Sequence, residues 1–325
     1  MNPSRIVTLG SAYIDTHIPG FPFGEQGLAP ETETIGGDYG VTPGGSAVNF
    51  ARVCVRLGLK ATFVGKVGND FYGTLLAQKL REEQVTPALI VGDSVSTNIG
   101  VNLINEEGQT IMAVAGTANQ ALTPDDITKT IEPLLPQVDY LYFGGCFKLK
   151  RLLPALEQLA QDAQATGTKV VVDHGRVPEN ATAGEKAMVR SLVSLADYYF
   201  PSKAEFLELW HAGSIEAGLH AVALKSGGRI AVKCAEEGAY SVADKSIVHA
   251  PAFRVAPHHT AGAGDSFNAG FITAQANGLP LRDSLTFGCA VAALKISHGN
   301  SPTKTEVETF LAGRPEPIIL SANDR

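Results

Sequence analysis

The segment His259-Thr260-Ala261-Gly262-Ala263-Gly264-Asp265 puts a carboxylate at the end of a run of small residues, directly before an apolar stretch through Phe267, Ala269, Phe271 and Ile272. Small side chains at 261–264 let the backbone turn tightly and come close to a ligand. At a helix start its N–H groups point outward, where the helix dipole also favours negative charge. That is a cradle for a phosphate or an oxyanion. Asp265, in the first turn, is placed to accept a hydroxyl proton while that oxygen attacks a phosphorus held by the neighbouring amides. The helix terminus favours the ionised carboxylate, so Asp265 is expected to be a weak base that works through its position. The plainer reading is a tight strand-to-helix turn that Asp265 caps.

A second glycine segment, Val41 to Ala51 (VTPGGSAVNFA), lies near the other end of the chain. Gly44 and Gly45 precede a predicted helix with Ser46 as its cap and about Leu57 as its end, and Asn49 sits one turn in. Asn49 is either a satisfied core amide or, with the Gly45 backbone and Asp15 after the first strand, part of a site for hydroxyl groups. In doubly wound sheets such residues converge at the carboxyl ends of strands. The other familiar cradles and elbows are missing from the sequence: there is no GxxxxGK[ST], no GxGxxG after the first strand, no GxSxG and no HExxH. His258 and His259 are adjacent in an extended segment and point to opposite sides, which argues against a shared metal.

These segments need a scaffold, and the pattern supplies one. Short apolar strands (Arg5 to Leu9, Ala61 to Val67, Tyr140 to Phe143, Lys169 to Asp173, Tyr198 to Phe200, Ile230 to Lys233) alternate with amphipathic helices at Phe71 to Glu83, Leu152 to Ala165, 183–195 and Ala204 to His211. Three helices at about 264–276, 281–298 and 304–311 close the chain. Such alternation predicts an α/β fold with a doubly wound, mostly parallel sheet covered on both faces. Residues 16–42, rich in Gly and Pro, read as a small β-rich flap, joined by a hairpin of Asn98 to Asn105 and Thr110 to Ala115. The expected organisation is one domain over 1–325 with a lid formed by about 16–42 and 97–117.

Composition removes whole classes. Twenty-six Lys plus Arg against 33 Asp plus Glu give a net charge of −7, which excludes a nucleic-acid binder relying on a basic surface. No stretch reaches the roughly 20 apolar residues of a membrane span, and the first residues lack a basic-then-apolar leader, so a cytoplasmic chain is expected. Cys54, Cys146, Cys234 and Cys289 are far apart in sequence, without zinc or redox spacing, and are expected to be buried free thiols.

Together the two glycine segments resemble the ribokinase family of carbohydrate kinases, also called the phosphofructokinase B family. Gly44-Gly45-Ser46-Ala47-Val48-Asn49 is similar to its sugar-binding GG-x-x-x-N segment, and 259–265 to its D-T-x-G-A-G-D segment. Gly65 to Gly73 (GKVGNDFYG) is similar to the family's G-x-V-G-x-D-x-x-G stretch. The resemblance implies the ribokinase-like three-layer α/β/α fold and transfer of the γ-phosphoryl of ATP, with Mg²⁺, to a sugar hydroxyl. It makes Asp265 the general base and the 261–264 amides, including those of Ala261, Gly262, Ala263 and Gly264, the anion hole. It assigns Asp15, Gly44, Gly45 and Asn49 to the sugar. Arg176, in DHGRV after a strand, is read from its position as a contact for a phosphate or an acidic substrate group, or else as a surface residue. The resemblance assigns Ser202, Lys233, Gly238, Thr260 and Ala261 to the nucleotide and Glu205 to magnesium through water. Homodimerisation through the lid is a further implication.

The sequence departs from the family's pattern at four places. His259 replaces the first Asp of its segment, which puts potassium activation in doubt. Ser202 replaces the Asn of N-x-x-E, and Lys233 and Ala235 replace the Thr and Gly of T-x-G-x-x-G. Lys233 reads slightly better as a solvated charge at a strand end. Two other readings stay open: a nucleoside kinase, for which Tyr13, Phe21, Phe23 and Tyr39 would supply stacking, and a catalytically silent sugar- or nucleotide-binding regulator.

Overall fold

The computed structural model describes residues 3–23, 38–107, 109–222, 224, 227–256 and 261–313. The central sheet contains β1 (Arg5–Gly10), β4 (Lys60–Gly68), β5 (Thr86–Gly92), β8 (Tyr140–Gly144), β9 (Lys169–Asp173), β10 (Tyr198–Tyr199) and β11 (Arg229–Ile230), in the order β11-β10-β9-β8-β1-β4-β5. Every ladder in it is parallel. Strands buried on both faces send alternate side chains into two separate cores. In β8, Tyr140 and Tyr142 enter one core and Leu141 and Phe143 the other.

The helices are α1 (Ser46–Arg56), α2 (Phe71–Glu82), α3 (Pro124–Ile131), α4 (Leu153–Ala165), α5 (Ala183–Ser194), α6 (Lys203–Trp210), α7 (Ile215–Ala221), α8 (Ala263–Ala276), α9 (Leu281–His298) and α10 (Lys304–Ala312). Apolar residues of α1, α2, α8, α9 and α10 fill the Tyr142 side of the sheet, and those of α3 to α7 fill the Phe143 side. The result is the three-layer α/β/α arrangement expected from the alternation. Helix α8 is held against α9 by close backbone approach. A Cβ on Gly270 would lie only 3.0 Å from Gly288 Cα, so a larger residue there would push apart the helix that carries Asp265.

A four-stranded sheet, β3-β2-β6-β7, is built from β2 (Tyr13–Pro19), β3 (Gly40–Gly44), β6 (Ile99–Ile104) and β7 (Thr110–Ala115). It starts at Tyr13, three residues ahead of the expected flap, because Tyr13 already pairs with Gly44. Much of the expected flap (24–37), and Gly108 of the hairpin turn, lie outside the described residues. Asp70 caps α2 at the Gly73 amide (2.8 Å) and also accepts from the Thr97 amide (2.8 Å) and hydroxyl (2.7 Å), which ties the lead-in to β6 to the main body.

Some elements differ from expectation. Ile230 to Lys233 is not one strand: the chain changes sheets within it. Arg229–Ile230 pairs with β10, while β12 (Val232–Lys233) pairs with β13 (Ala239–Ala243), which pairs in turn with β14 (Ser246–Ala250). Strand β5 is not among the expected strands: it carries the apolar run Ala88 to Val91 but lies half-buried at the edge of the sheet, with Pro87 near its start. All four cysteines are buried free thiols. Among the described residues no helix is long and apolar enough to cross a membrane.

Candidate active site

Gly262 adopts a left-handed conformation (φ 78°) and opens α8. The Ser266 amide donates to the Gly262 carbonyl at 2.9 Å. Position alone leaves the amides of Ala263 and Gly264 ahead of that bond, at the positive end of the helix and without an intrahelical acceptor. Thr260 and His259 lie outside the described residues, and Ala261 is exposed on the turn entering the helix.

Asp265 is turned toward α1. The Ser46 hydroxyl donates to its Oδ1 at 2.6 Å and the Asn49 amide donates to its Oδ2 at 3.1 Å. The two glycine segments, so distant in sequence, therefore meet on one carboxylate. Ser46 is not the helix cap that its sequence position suggested. Gly45 is the N-cap (φ 107°), and Ser46, the first helical residue, uses its hydroxyl on Asp265. A side chain at Gly45 would collide with the Ser11 carbonyl, so glycine is required there.

The expectation of a weak base is also corrected. Burial, and then the nearby Asp173 carboxylate, push the Asp265 carboxyl up to about 6, against the opposing effects of Ser46, Lys233 and Asn49. Near neutral pH it is ionised and yet basic enough to take up a proton.

Asp173, at the carboxyl end of β9, was missed as a site residue. Its Oδ2 accepts from Lys233 Nζ and from Asn268 Nδ2, both at 2.6 Å, and its Oδ1 accepts from the Gly175 amide at 3.0 Å. The two side chains of the ion pair are only 6% (Asp173) and 15% (Lys233) exposed. Lys233 is therefore not the solvated strand-end charge favoured above. Burial works against the charge on both groups, but each partner outweighs it: Asp173 stays below the usual carboxylate range and Lys233 above the usual lysine range. Lys233 also reaches the cradle, since a Cβ added at Gly264 would stand 3.5 Å from its ammonium nitrogen. The available signals were a carboxylate ending a buried strand and an Asn one turn after Asp265.

Asp15 is on β2, opposite Thr42 of β3 and Gly100 of β6. Gly44 and Gly100 give its carboxylate room, because a Cβ on either would collide with it. Its Oδ1 is buried without a hydrogen-bond partner among the described residues. Burial raises its pKa, although the Lys148 ammonium works the other way. An orphaned acceptor of this kind fits a ligand hydroxyl.

The remaining sequence candidates fall elsewhere. Ser202 caps α6 and forms a reciprocal capping box with Glu205, whose Oε2 accepts from the Ser202 amide at 2.7 Å. The charge of Glu205 also raises the pKa of His174 and of Lys233, so it lies near enough to act on the Asp173 cluster. Gly238 (φ 91°) closes the turn before β13, and its amide donates to the Ala235 carbonyl at 3.0 Å. Arg176 is exposed on the loop after β9. The structure thus brings Asp265, Asn49, Lys233 and the 263–264 amides together, places Asp15 on the four-stranded sheet, and leaves Arg176 at the surface.

Residues 4–307 match the family described as pfkB family carbohydrate kinase. Ribokinase of Bacillus subtilis is 25% identical over 95% of this chain and 99% of its own length. The 5-dehydro-2-deoxygluconokinase of the same organism is 27% identical over 94% and 95%. Among solved structures, ribokinase of Thermotoga maritima superimposes with a TM-score of 0.76 at 23% identity, covering 95% of this chain and 99% of that one. An Escherichia coli protein solved with ATP and Mg²⁺ superimposes with a TM-score of 0.80 at 20% identity, covering 96% and 100%. At these identities the two superpositions speak for the fold.

Proposed function

This chain belongs to the pfkB family of carbohydrate kinases, a phosphotransferase acting on a sugar alcohol group, and we propose that it moves the γ-phosphoryl of ATP to a hydroxyl of a free sugar or sugar acid with Asp265 as the base. The observation that carries this reading is Asp265 itself. It is a carboxylate whose pKa is pushed up to about 6, beside helix-start amides that have no intrahelical acceptor, and held at both oxygens by the glycine-flanked helix α1.

The residues present fit Mg–ATP. The α8 amides and the Lys233 ammonium converge on one space, which suits a polyanion. Among the described residues no group of three or more His, Cys, Asp or Glu is placed to hold a metal. Magnesium would then be held chiefly by phosphate oxygens, with Glu205 reaching it through water. When bound, it would neutralise charge on the phosphates. The chain's own part is to hold the acceptor on Asp15 and Asn49, to take its proton at Asp265, and to receive charge at Ala263, Gly264 and Lys233.

A nucleoside acceptor is less well supported. Of the four aromatic residues that would stack on a base, Tyr13 and Phe21 are buried and offer no free face, Phe23 is half-buried, and Tyr39 alone is exposed. The buried free thiols suit a reducing cytoplasm.

Coupled measurement of ADP release over ketoses, aldoses, sugar acids and nucleosides tests the reading. Turnover is expected with a member of the first three classes. No turnover with any of them, alongside sugar binding by calorimetry, would make the protein a regulator. A second expected result concerns Asp15. Gly100→Ala crowds its carboxylate and should raise KM for the acceptor about tenfold or more, the effect of roughly 1.4 kcal/mol, while KM for ATP stays within twofold. Equal loss for both substrates would remove Asp15 from the acceptor site.

A further inference from the structure

The carboxylate of Asp265 is gripped by more than helix α1. A line of polar groups runs behind it through the core. Asn268 Nδ2 lies 3.3 Å from the Tyr142 hydroxyl, which lies 3.3 Å from Ser46 Oγ, which donates to Asp265 Oδ1 at 2.6 Å. The direction of every proton in this line follows from chemistry. The Asn268 nitrogen also lies 2.6 Å from Asp173 Oδ2, and an ionised carboxylate can only accept, so that atom is the amide NH₂ and donates to Tyr142. Ser46 must give its single proton to Asp265, so the Tyr142 hydroxyl donates to Ser46. The line has one consistent polarity and ends on the base.

It is also rigid. Tyr142 is wholly buried, and its ring stacks on Phe50 with centroids 3.8 Å apart and planes 2° from parallel. Phe50 lies on α1, the helix that carries Ser46, so the same helix holds both ends of the Tyr142–Ser46 contact.

We propose that Ser46, oriented by Tyr142, is a positioning residue for the base: it occupies Oδ1 of Asp265 and thereby leaves Oδ2 to face the acceptor hydroxyl. The two contacts on the carboxylate are unequal. Both side chains are half-buried, but the Ser46 bond is 2.6 Å and backed by the Tyr142 hydroxyl, while the Asn49 bond to Oδ2 is longer, at 3.1 Å. An arriving alcohol therefore competes with Asn49, not with Ser46. This inference rests on the kinase reading above and adds a residue that the reading does not need.

The test compares Ser46→Ala, Ser46→Thr and Tyr142→Phe in steady-state kinetics from pH 5 to 8, with Asp265→Asn as control and thermal melting to verify folding. A hydrogen bond to the ionised form lowers a carboxyl pKa, so its removal raises it. Ser46→Ala should move the acid limb of kcat/KM upward by about one pH unit and lower kcat about tenfold, with KM for ATP within twofold. Ser46→Thr, which keeps a hydroxyl, should restore the limb. Tyr142→Phe should shift it in the same direction by less. If Asp265→Asn is inactive while Ser46→Ala leaves the limb in place, or if Thr fails to rescue a folded variant, the Ser46 assignment falls alone. If Asp265→Asn remains active, the base assignment falls first and this one with it.

Discussion

Replacing Asp265 with Asn is expected to lower kcat by roughly 10²–10⁴-fold, the usual contribution of a general base, while sugar and nucleotide still bind. Asn keeps the shape of the side chain and one oxygen for the Ser46 hydroxyl, so the approach of α1 to α8 survives. On the proposed mechanism, what disappears is the acceptor for the alcohol's proton. The wild-type pH profile provides the companion measurement. A carboxyl at about 6 must be ionised to act, so kcat/KM of the free enzyme should fall as pH drops through about 6 and be flat above it. Stability has the opposite sign. The folded pKa lies above the ordinary 3.8, so the folded state binds the proton more tightly than the unfolded chain. Ionisation therefore costs stability as pH rises between those values. At pH 8 the Asn variant should consequently melt no lower than wild type. An inactive variant that also melts several degrees lower would point to a structural role for Asp265, and an active one would remove it from the chemistry.

The second large effect is expected at Lys233. Lys233→Met leaves Asp173 as a buried carboxylate with only Asn268 and the Gly175 amide to satisfy it. Breaking one side of a buried ion pair typically costs about 3–5 kcal/mol. Chemical denaturation should show a loss of that order. The double variant Lys233→Met/Asp173→Asn removes the stranded charge and should recover most of the stability. Activity should not follow. If the ammonium beside Gly264 also receives phosphate charge, both variants share a raised KM for ATP and a lowered kcat. Recovery of activity in the double variant would confine Lys233 to neutralising Asp173.

Different parts of this molecule were legible to different degrees. The layered architecture could be read because each buried strand is a short apolar run and each helix has a periodic face. These are local patterns that burial on two sides imposes on any sequence. The switch between β11 and β12 could not, because Ile230 to Lys233 reads as one β-favouring run. Only the positions of Tyr198 and Tyr240 decide which residues pair with which sheet. Ser46 shows a local rule giving way. Serine just before a helix is a strong capping signal, but Gly45 can adopt a φ of 107° and takes the cap, which frees the hydroxyl for a residue 219 positions away.

The sequence by itself determined the helix start on which the proposed cradle is built. Small residues before an apolar helix with Asp in its first turn suffice for a phosphate-sized turn with a carboxylate at its edge, since the conformational freedom of glycine and the orphan amides of a helix start are properties of a few consecutive residues. Tertiary structure alone decided what kind of acid Asp265 is. The helix terminus argued for an ordinary, strongly ionised carboxylate. Burial under α1, a second carboxylate at the end of β9 and an ammonium on β12 set its proton affinity instead. Those charges act through space across a low-dielectric interior, and no spacing along the chain encodes how close folding will bring them.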